Sequence, residues 1–111
     1  MSEQYKVVYS SEALEDLDAI YSYIAFELMA HTTAENQVNR IRKEMRSLNL
    51  FPERYEVVDW EPWLSLKMRK VPVDNYIIYY LVDLDNLQVN IIRIFYGGRD
   101  VEGIVNSNNK A

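Results

Sequence analysis

Between residues 67 and 99 this chain places five basic residues: Lys67, Arg69, Lys70, Arg93 and Arg99. They are interleaved with Tyr76, Tyr79, Tyr80 and Tyr96. Guanidinium forks bind phosphate in two-point geometry, and aromatic faces stack on bases, so this mixture suits the backbone of a nucleic acid or another anionic partner. The most pointed stretch is Tyr96-Gly97-Gly98-Arg99-Asp100. Paired glycines permit unusual backbone angles and close approach, which would fix where Arg99 points. Arg99 could hold a phosphate, stabilise charge that develops in a transition state, or pair locally with Asp100. Tyr96 is a weak proton donor, as phenols are, and Arg69 is a second candidate for charge stabilisation. The catalytic candidates are therefore Arg99, Tyr96 and Arg69, and all five cations are candidates for target or nucleic-acid binding. The plain alternative is that they decorate the solvated side of a half-buried sheet.

The rest of the chain offers little other chemistry. Cysteine is absent, which excludes disulfides and thiolate zinc sites, and the lone His31 cannot build a metal cluster. There is no phosphate-binding glycine loop and no Ser-His-Asp set, so neither a metal nor a cofactor is expected. Glu12, Glu15, Asp16 and Asp18 read as the solvated face of a helix. Net charge is -5, against the usual balance of a nucleic-acid binder. The sum hides segregation: residues 11–30 hold five acids and no Lys or Arg, whereas residues 35–46 hold four bases against Glu35 and Glu44. No apolar run approaches the roughly 18 residues of a membrane span. The N-terminus lacks the layout of a signal peptide, and a soluble cytoplasmic protein is expected.

At 111 residues with 49% apolar content, one domain spanning 1–111 with a single core is expected. Tyr5-Lys6-Val7-Val8-Tyr9 reads as a short strand, and Ser10-Ser11 as the cap of a helix. That helix carries one apolar stripe at Leu14, Leu17, Ile20, Tyr21, Ile24, Ala25 and Leu28. His31 falls in the break after it. Thr32 and Glu35 have capping-box spacing for a second helix, with a stripe at Ala34, Val38, Ile41, Met45 and Leu48. The two helices should form an antiparallel hairpin, with the acidic face of the first partly compensating the basic face of the second, ended by Pro52. Residues 51–63 form an aromatic loop, with Trp60 and Trp63 as a lid on the core. Strands follow at 66–71, 76–82 and 87–95 in an antiparallel meander. Alternation puts Val89, Ile91, Arg93 and Phe95 on one face and Asn90, Ile92, Ile94 and Tyr96 on the other. Similarly, Lys67 and Arg69 should share a face opposite Lys70. The expectation is an α+β fold, β-α-α-β-β-β, with the hairpin on one face of a small, mainly antiparallel sheet. The other face is left free to bind, and a polar, mobile tail runs over about 105–111.

In order along the chain, these segments resemble the RelE/ParE superfamily of toxins from bacterial type II toxin–antitoxin modules. The resemblance rests on Tyr5 to Ser10 leading into Ala13-Leu14-Glu15-Asp16-Leu17, and on Leu48-Asn49-Leu50-Phe51-Pro52 closing the hairpin. Arg69-Lys70-Val71, Asn75-Tyr76-Ile77-Ile78-Tyr79-Tyr80 and Arg93 to Asp100 complete it. It implies a toxin that inhibits growth, contributes to plasmid stabilization and is neutralised by a cognate antitoxin. RelE-type members cleave mRNA in the ribosomal A site, and ParE-type members poison DNA gyrase. Arg99 resembles a functional RelE arginine. Ile77 stands where RelE has a second one, and Ile104-Val105 stand where its tail carries a tyrosine. The helical hairpin and the Gly-Gly-Arg-Asp ending look closer to ParE-like relatives. Gyrase and ribosome both remain open as targets, as does a non-toxic protein-binding module of the same fold.

Overall fold

The β-branched run after Tyr5 forms β1 (Lys6–Tyr9), and Ser10 then turns the chain into α1 (Ser11–Ser22) in a computed structural model that describes residues 3–108. Ser10 Oγ accepts from the Ala13 amide at 2.9 Å, the N-cap bond anticipated from the sequence, and donates to the Ile92 carbonyl at 2.7 Å. α1 widens into a π-helical stretch, Tyr23–Glu27, before α2 (His31–Ser47) returns antiparallel to it. The later strands are β2 (Arg69–Val73), β3 (Tyr76–Asp83) and β4 (Gln88–Tyr96), and a further helix, α3 (Val101–Asn108), follows. The sheet order is β1-β4-β3-β2, with β1 parallel to β4 and the other pairs antiparallel. This is the expected α+β architecture with α3 added. Among the described residues no helix is long and apolar enough to cross a membrane.

The hairpin buries Ala13, Leu17, Ile20, Ala34, Val38, Ile41 and Met45 against Val71, Ile78, Tyr80, Val89, Ile91 and Ile94 of the sheet. Each large aliphatic side chain so buried contributes about 1.5–3 kcal/mol, which makes this the main source of stability. Two members of the expected α1 stripe are not in it: Leu14 and Leu28 are exposed. Ala13 takes the sheet-facing position, and the π-helical turn rotates Leu28 away from the core. α2 begins at His31 without a side-chain cap, so Thr32 and Glu35 form no capping box. Met29 at φ 52° tightens the link, and the Ala34 amide bonds Ala30 O at 2.9 Å, which starts the helix early. The helix also ends before Pro52, which instead opens a 3₁₀ turn at Pro52–Arg54. Among the described residues no ion pair joins α1 to α2; Arg40 holds Asp74 in the β2–β3 turn at 2.7 Å, and Arg93 holds Asp16.

Strict alternation fails in β4. Tyr79 pairs with Arg93 but Tyr80 pairs with Ile91, leaving Ile92 as the extra residue of a β-bulge. Ile94 therefore joins Val89 and Ile91 on the hairpin side, while Phe95 turns with Ile92 into a second cluster on the far side. In β3 the expected faces hold: Ile78 and Tyr80 meet the hairpin, and Ile77, Tyr79 and Leu81 face away.

That far face is not free. Val58 and Trp63 from the aromatic loop and Met68 just before β2, with Val101, Ile104 and Val105 from α3, pack over Tyr79 and Phe95. The polar tail expected from about 105 is helical to Asn108 because Val101, Ile104 and Val105 give it an apolar side to bury; its last residues lie outside the described ones. Trp60 and Trp63 stack at 4.9 Å as a lid, though over this second cluster. β2 begins only at Arg69. Leu66 and Lys67 belong to a turn with Lys67 at φ 60°, closed by the Met68 amide on Trp63 O at 3.0 Å.

The two layers are tied together by Tyr80, fully buried, whose hydroxyl donates to Pro52 O at 2.6 Å. Burial pushes its phenol well above the ordinary value of 10.0. The unfolded chain loses this proton near pH 10 while the folded chain keeps it, so stability is intact below pH 10 and falls as pH rises beyond it. Thermal melts from pH 8 to 11 should show a flat midpoint and then a decline above pH 10. Tyr80→Phe should make that decline shallower, with the buried Tyr76 and Tyr79 supplying part of what remains, while costing about 1 kcal/mol at neutral pH for the unpaired Pro52 carbonyl. An unchanged alkaline slope in the variant would refute the assignment.

Candidate functional site

At the end of β4 the chain must leave the sheet and enter α3 within a few residues. The Gly97 amide bonds Asn75 O at 2.7 Å, and the Arg99 amide bonds Tyr96 O at 3.0 Å. Neither glycine has positive φ, so the backbone freedom expected of them is not used. A Cβ at Gly98 would lie 2.8 Å from Cε2 of the exposed Tyr96, whose ring would have to shift. Asp100 does not pair with Arg99. Its carboxylate accepts from the Gly103 amide at 3.1 Å and caps α3.

The five cations take different surroundings. Arg69 lies on the hairpin side of β2, where it donates to the carbonyls of Tyr55 at 2.6 Å and Glu53 at 3.1 Å. Lys67 sits in the preceding turn, outside the strand. Lys70 is on the opposite face, 3.9 Å from Glu56. Arg93 forms a two-point pair with Asp16, at 2.7 and 2.9 Å, and lies over the Phe95 ring at 4.4 Å. The hydrogen bonds that Arg93 donates to Asp16 raise its already high pKa, so it stays charged. Arg99 is exposed, stands over the same ring at 5.5 Å, and makes no side-chain hydrogen bond or ion pair among the described residues. The shared anionic face expected from the sequence is therefore divided: Arg93 and Arg99 meet at Phe95, and Arg69 lies on the other side of the sheet.

Arg99 and Tyr96 border a groove of about 760 Å³ between the hairpin and the ends of β3 and β4. Its apolar wall comes from Ile20, Tyr23, Ile24, Leu28 and Ile94. Tyr76 meets Tyr96 edge to face at 5.9 Å, and burial raises its phenol pKa, so it stays protonated at neutral pH. Asp16 is the carboxylate lining the groove, and it is committed to Arg93 and to the Ile94 amide at 2.9 Å. His31 rests edge-on against Phe26 at 5.3 Å, on the hairpin. Among the described residues no group of three or more His, Asp or Glu could hold a metal ion. The arrangement is an apolar groove with one uncommitted guanidinium, suited to binding a surface that presents aliphatic groups and a carboxylate.

Sequence reasoning missed Asp16, Tyr23 and Leu28. Asp16 looks like its neighbours Glu15 and Asp18 in sequence, and only the fold brings it to Arg93. Tyr23 lies between stripe positions. Leu28 fits the stripe, but the π-helical turn breaks its period.

Residues 7–101 match the family described as the ParE toxin of the type II toxin–antitoxin system parDE. No curated protein matches the chain significantly in sequence. Among solved structures it is similar to the chromosomal ParDE system from P. aeruginosa, with TM-score 0.69 and 20% identity over 86% of this chain and 98% of that one. It is also similar to a mutant E. coli toxin RelE in the free state (TM-score 0.63, 13% identity, 96% and 99% covered). The RelBE2 toxin–antitoxin complex from Mycobacterium tuberculosis is a third (TM-score 0.58, 18% identity, 84% and 91% covered). At such identities the likeness establishes a shared fold.

The three arginines should separate by stability. Arg69→Ala and Arg93→Ala each remove charged hydrogen bonds in part-buried settings and should cost about 1–3 kcal/mol in urea denaturation. Arg99→Ala, at an exposed position without a partner, should melt close to wild type. Equal destabilisation by all three would make Arg99 structural.

Proposed function

Because the chain belongs to the ParE toxin family of type II toxin–antitoxin systems, we propose that it arrests growth by binding a protein target, DNA gyrase, and that a cognate antitoxin neutralises it. One observation carries this choice over ribosome-dependent mRNA cleavage. The sheet face that would have to meet RNA is filled by α3 and the aromatic loop. Phosphodiester cleavage also needs an acid–base pair beside the charge-stabilising group. Asp16 is bound up with Arg93, and Arg69 lies across the sheet from Arg99. Arg99, without an ion pair among the described residues, stands with Tyr96 beside an apolar groove, which favours contact with protein. In this reading Arg99 and Tyr96 touch the target, Arg69 and Arg93 act as internal ties, and Lys67 and Lys70 contribute at most to steering. A gyrase target places the action in the cytoplasm.

The ParDE system and the RelBE2 complex each pair a toxin with an antitoxin, which supports a neutralising partner for this chain. An antitoxin that adds a strand or lays a helix on the toxin would find the outer edge of β1 and the groove between α1 and α2 beside Leu14, Tyr21 and Arg42 available.

Controlled expression should stop growth and induce the DNA-damage response while transcripts stay intact, and the purified protein should inhibit supercoiling. Arg99→Ala should weaken both by about tenfold, the usual scale for losing an interface arginine. Rapid transcript cleavage in translating cells would instead establish the RelE-like activity. Harmless expression, with a stable protein complex, would establish a non-toxic binding module.

A further inference from the structure

The turn between α1 and α2 has an unusual build. The π-helical stretch Tyr23–Glu27 is closed by the Leu28 amide on Tyr23 O and the Ala30 amide on Ile24 O, both at 3.1 Å, with Met29 at φ 52°. π-Turns sacrifice regular packing and recur at functional sites. This one turns large apolar side chains into solvent: Phe26 is 63% exposed, Leu28 56% and Met29 86%. Tyr23 and Tyr96 are also more than half exposed, and with Leu28 they line the groove that ends at Arg99. A folded monomer gains nothing from apolar side chains clustered at one end, and such patches mark interaction sites.

We infer that the hairpin tip and the groove form one docking surface for a segment of the target protein that carries aliphatic or aromatic anchors and a carboxylate placed for Arg99. The inference rests on the function proposed above, because the groove contains the Tyr96 and Arg99 assigned there to the target. Charge selects the class of occupant. Arg99 is the uncommitted cation of the groove among the described residues, since Arg93 is neutralised by Asp16. A nucleic acid needs several phosphate contacts along its length, whereas one carboxylate satisfies one guanidinium. Leu28 and Met29 have no complement on a sugar–phosphate backbone, but they match apolar pockets on a protein. Flexible Met at the most exposed position suits packing against such a pocket.

The test uses the full chain with Leu28→Glu and Met29→Glu combined, and Leu28→Met as the conservative control. Both positions are exposed, so the double variant should melt like wild type and still bind the antitoxin. It should lose growth arrest and need about tenfold or more protein for half-inhibition of supercoiling, as expected for removing hot-spot anchors. Leu28→Met should behave as wild type. If the pair lowers the melting midpoint, Met29→Glu alone carries the test with the same expectation. A folded variant with wild-type arrest overturns the inference. So does loss confined to antitoxin binding, which would assign the surface to the antitoxin, or loss confined to self-association, which would assign it to a second copy. Arrest by wild type without any effect on supercoiling would refute gyrase as the target, and loss of arrest in the double variant would still support the surface.

Discussion

The Asp16 carboxylate fixes where α1 sits on β4, and the position of the groove and of Arg93 depends on it. β4 runs past the end of the short β1 that pairs beside it, so its last residues face α1 with an open backbone edge. Asp16 fills that vacancy: it accepts the Ile94 amide at 2.9 Å and takes both arms of Arg93. A carboxylate and a guanidinium in a part-buried setting are costly to desolvate, and the cost is offset only when their hydrogen-bonding capacity is well used. Here three bonds converge on one carboxylate, and the helix is clamped to the strand at a fixed height and rotation.

The bulge at Ile92 follows the same logic. Ser10 Oγ binds the Ile92 carbonyl, and the Ser10 amide binds the Ile91 carbonyl at 2.9 Å, so the point where β1 becomes α1 is also the point where β4 changes its facing. Without the extra residue, Phe95 would lie on the hairpin side and Ile94 away from it. With it, Phe95 extends the row of Trp63 and Tyr79 on the far face, at 4.8 and 6.1 Å between successive rings. α3 has an aromatic floor to cover, and Phe95 becomes the ring over which Arg93 and Arg99 meet. The two cations differ because, among the described residues, Arg93 is paired with a carboxylate and Arg99 is not.

The π-helical turn departs from the local regularity that the core enforces elsewhere. A regular helix through Leu28 would bury another leucine and shorten the exposed tip. Keeping Phe26, Leu28 and Met29 in solvent forgoes that stabilisation, which is the cost that the proposed docking surface would offset. The groove beneath is shaped by the same turn, since Tyr23 and Leu28 both contribute to its wall.

Residue order alone did not determine α3 or the π-helical turn, but it did determine β1, the helical hairpin, the three later strands, the cap at Ser10, the α+β class, the faces of β3 and the family resemblance. These depend on local propensity and on apolar periods of 3.6 and 2, which neighbouring residues carry by themselves. The roles of the five basic residues were decided by tertiary structure. Arg69 found the carbonyls of Glu53 and Tyr55, Arg93 found an aspartate 77 positions away, and Arg99 found neither. The covered sheet face likewise depended on where the loop and α3 packed, and the bulge on Ser10 meeting Ile92. Whether a guanidinium is free or committed is set by which acceptors the fold brings within about 3 Å, and spacing along the chain does not encode that distance.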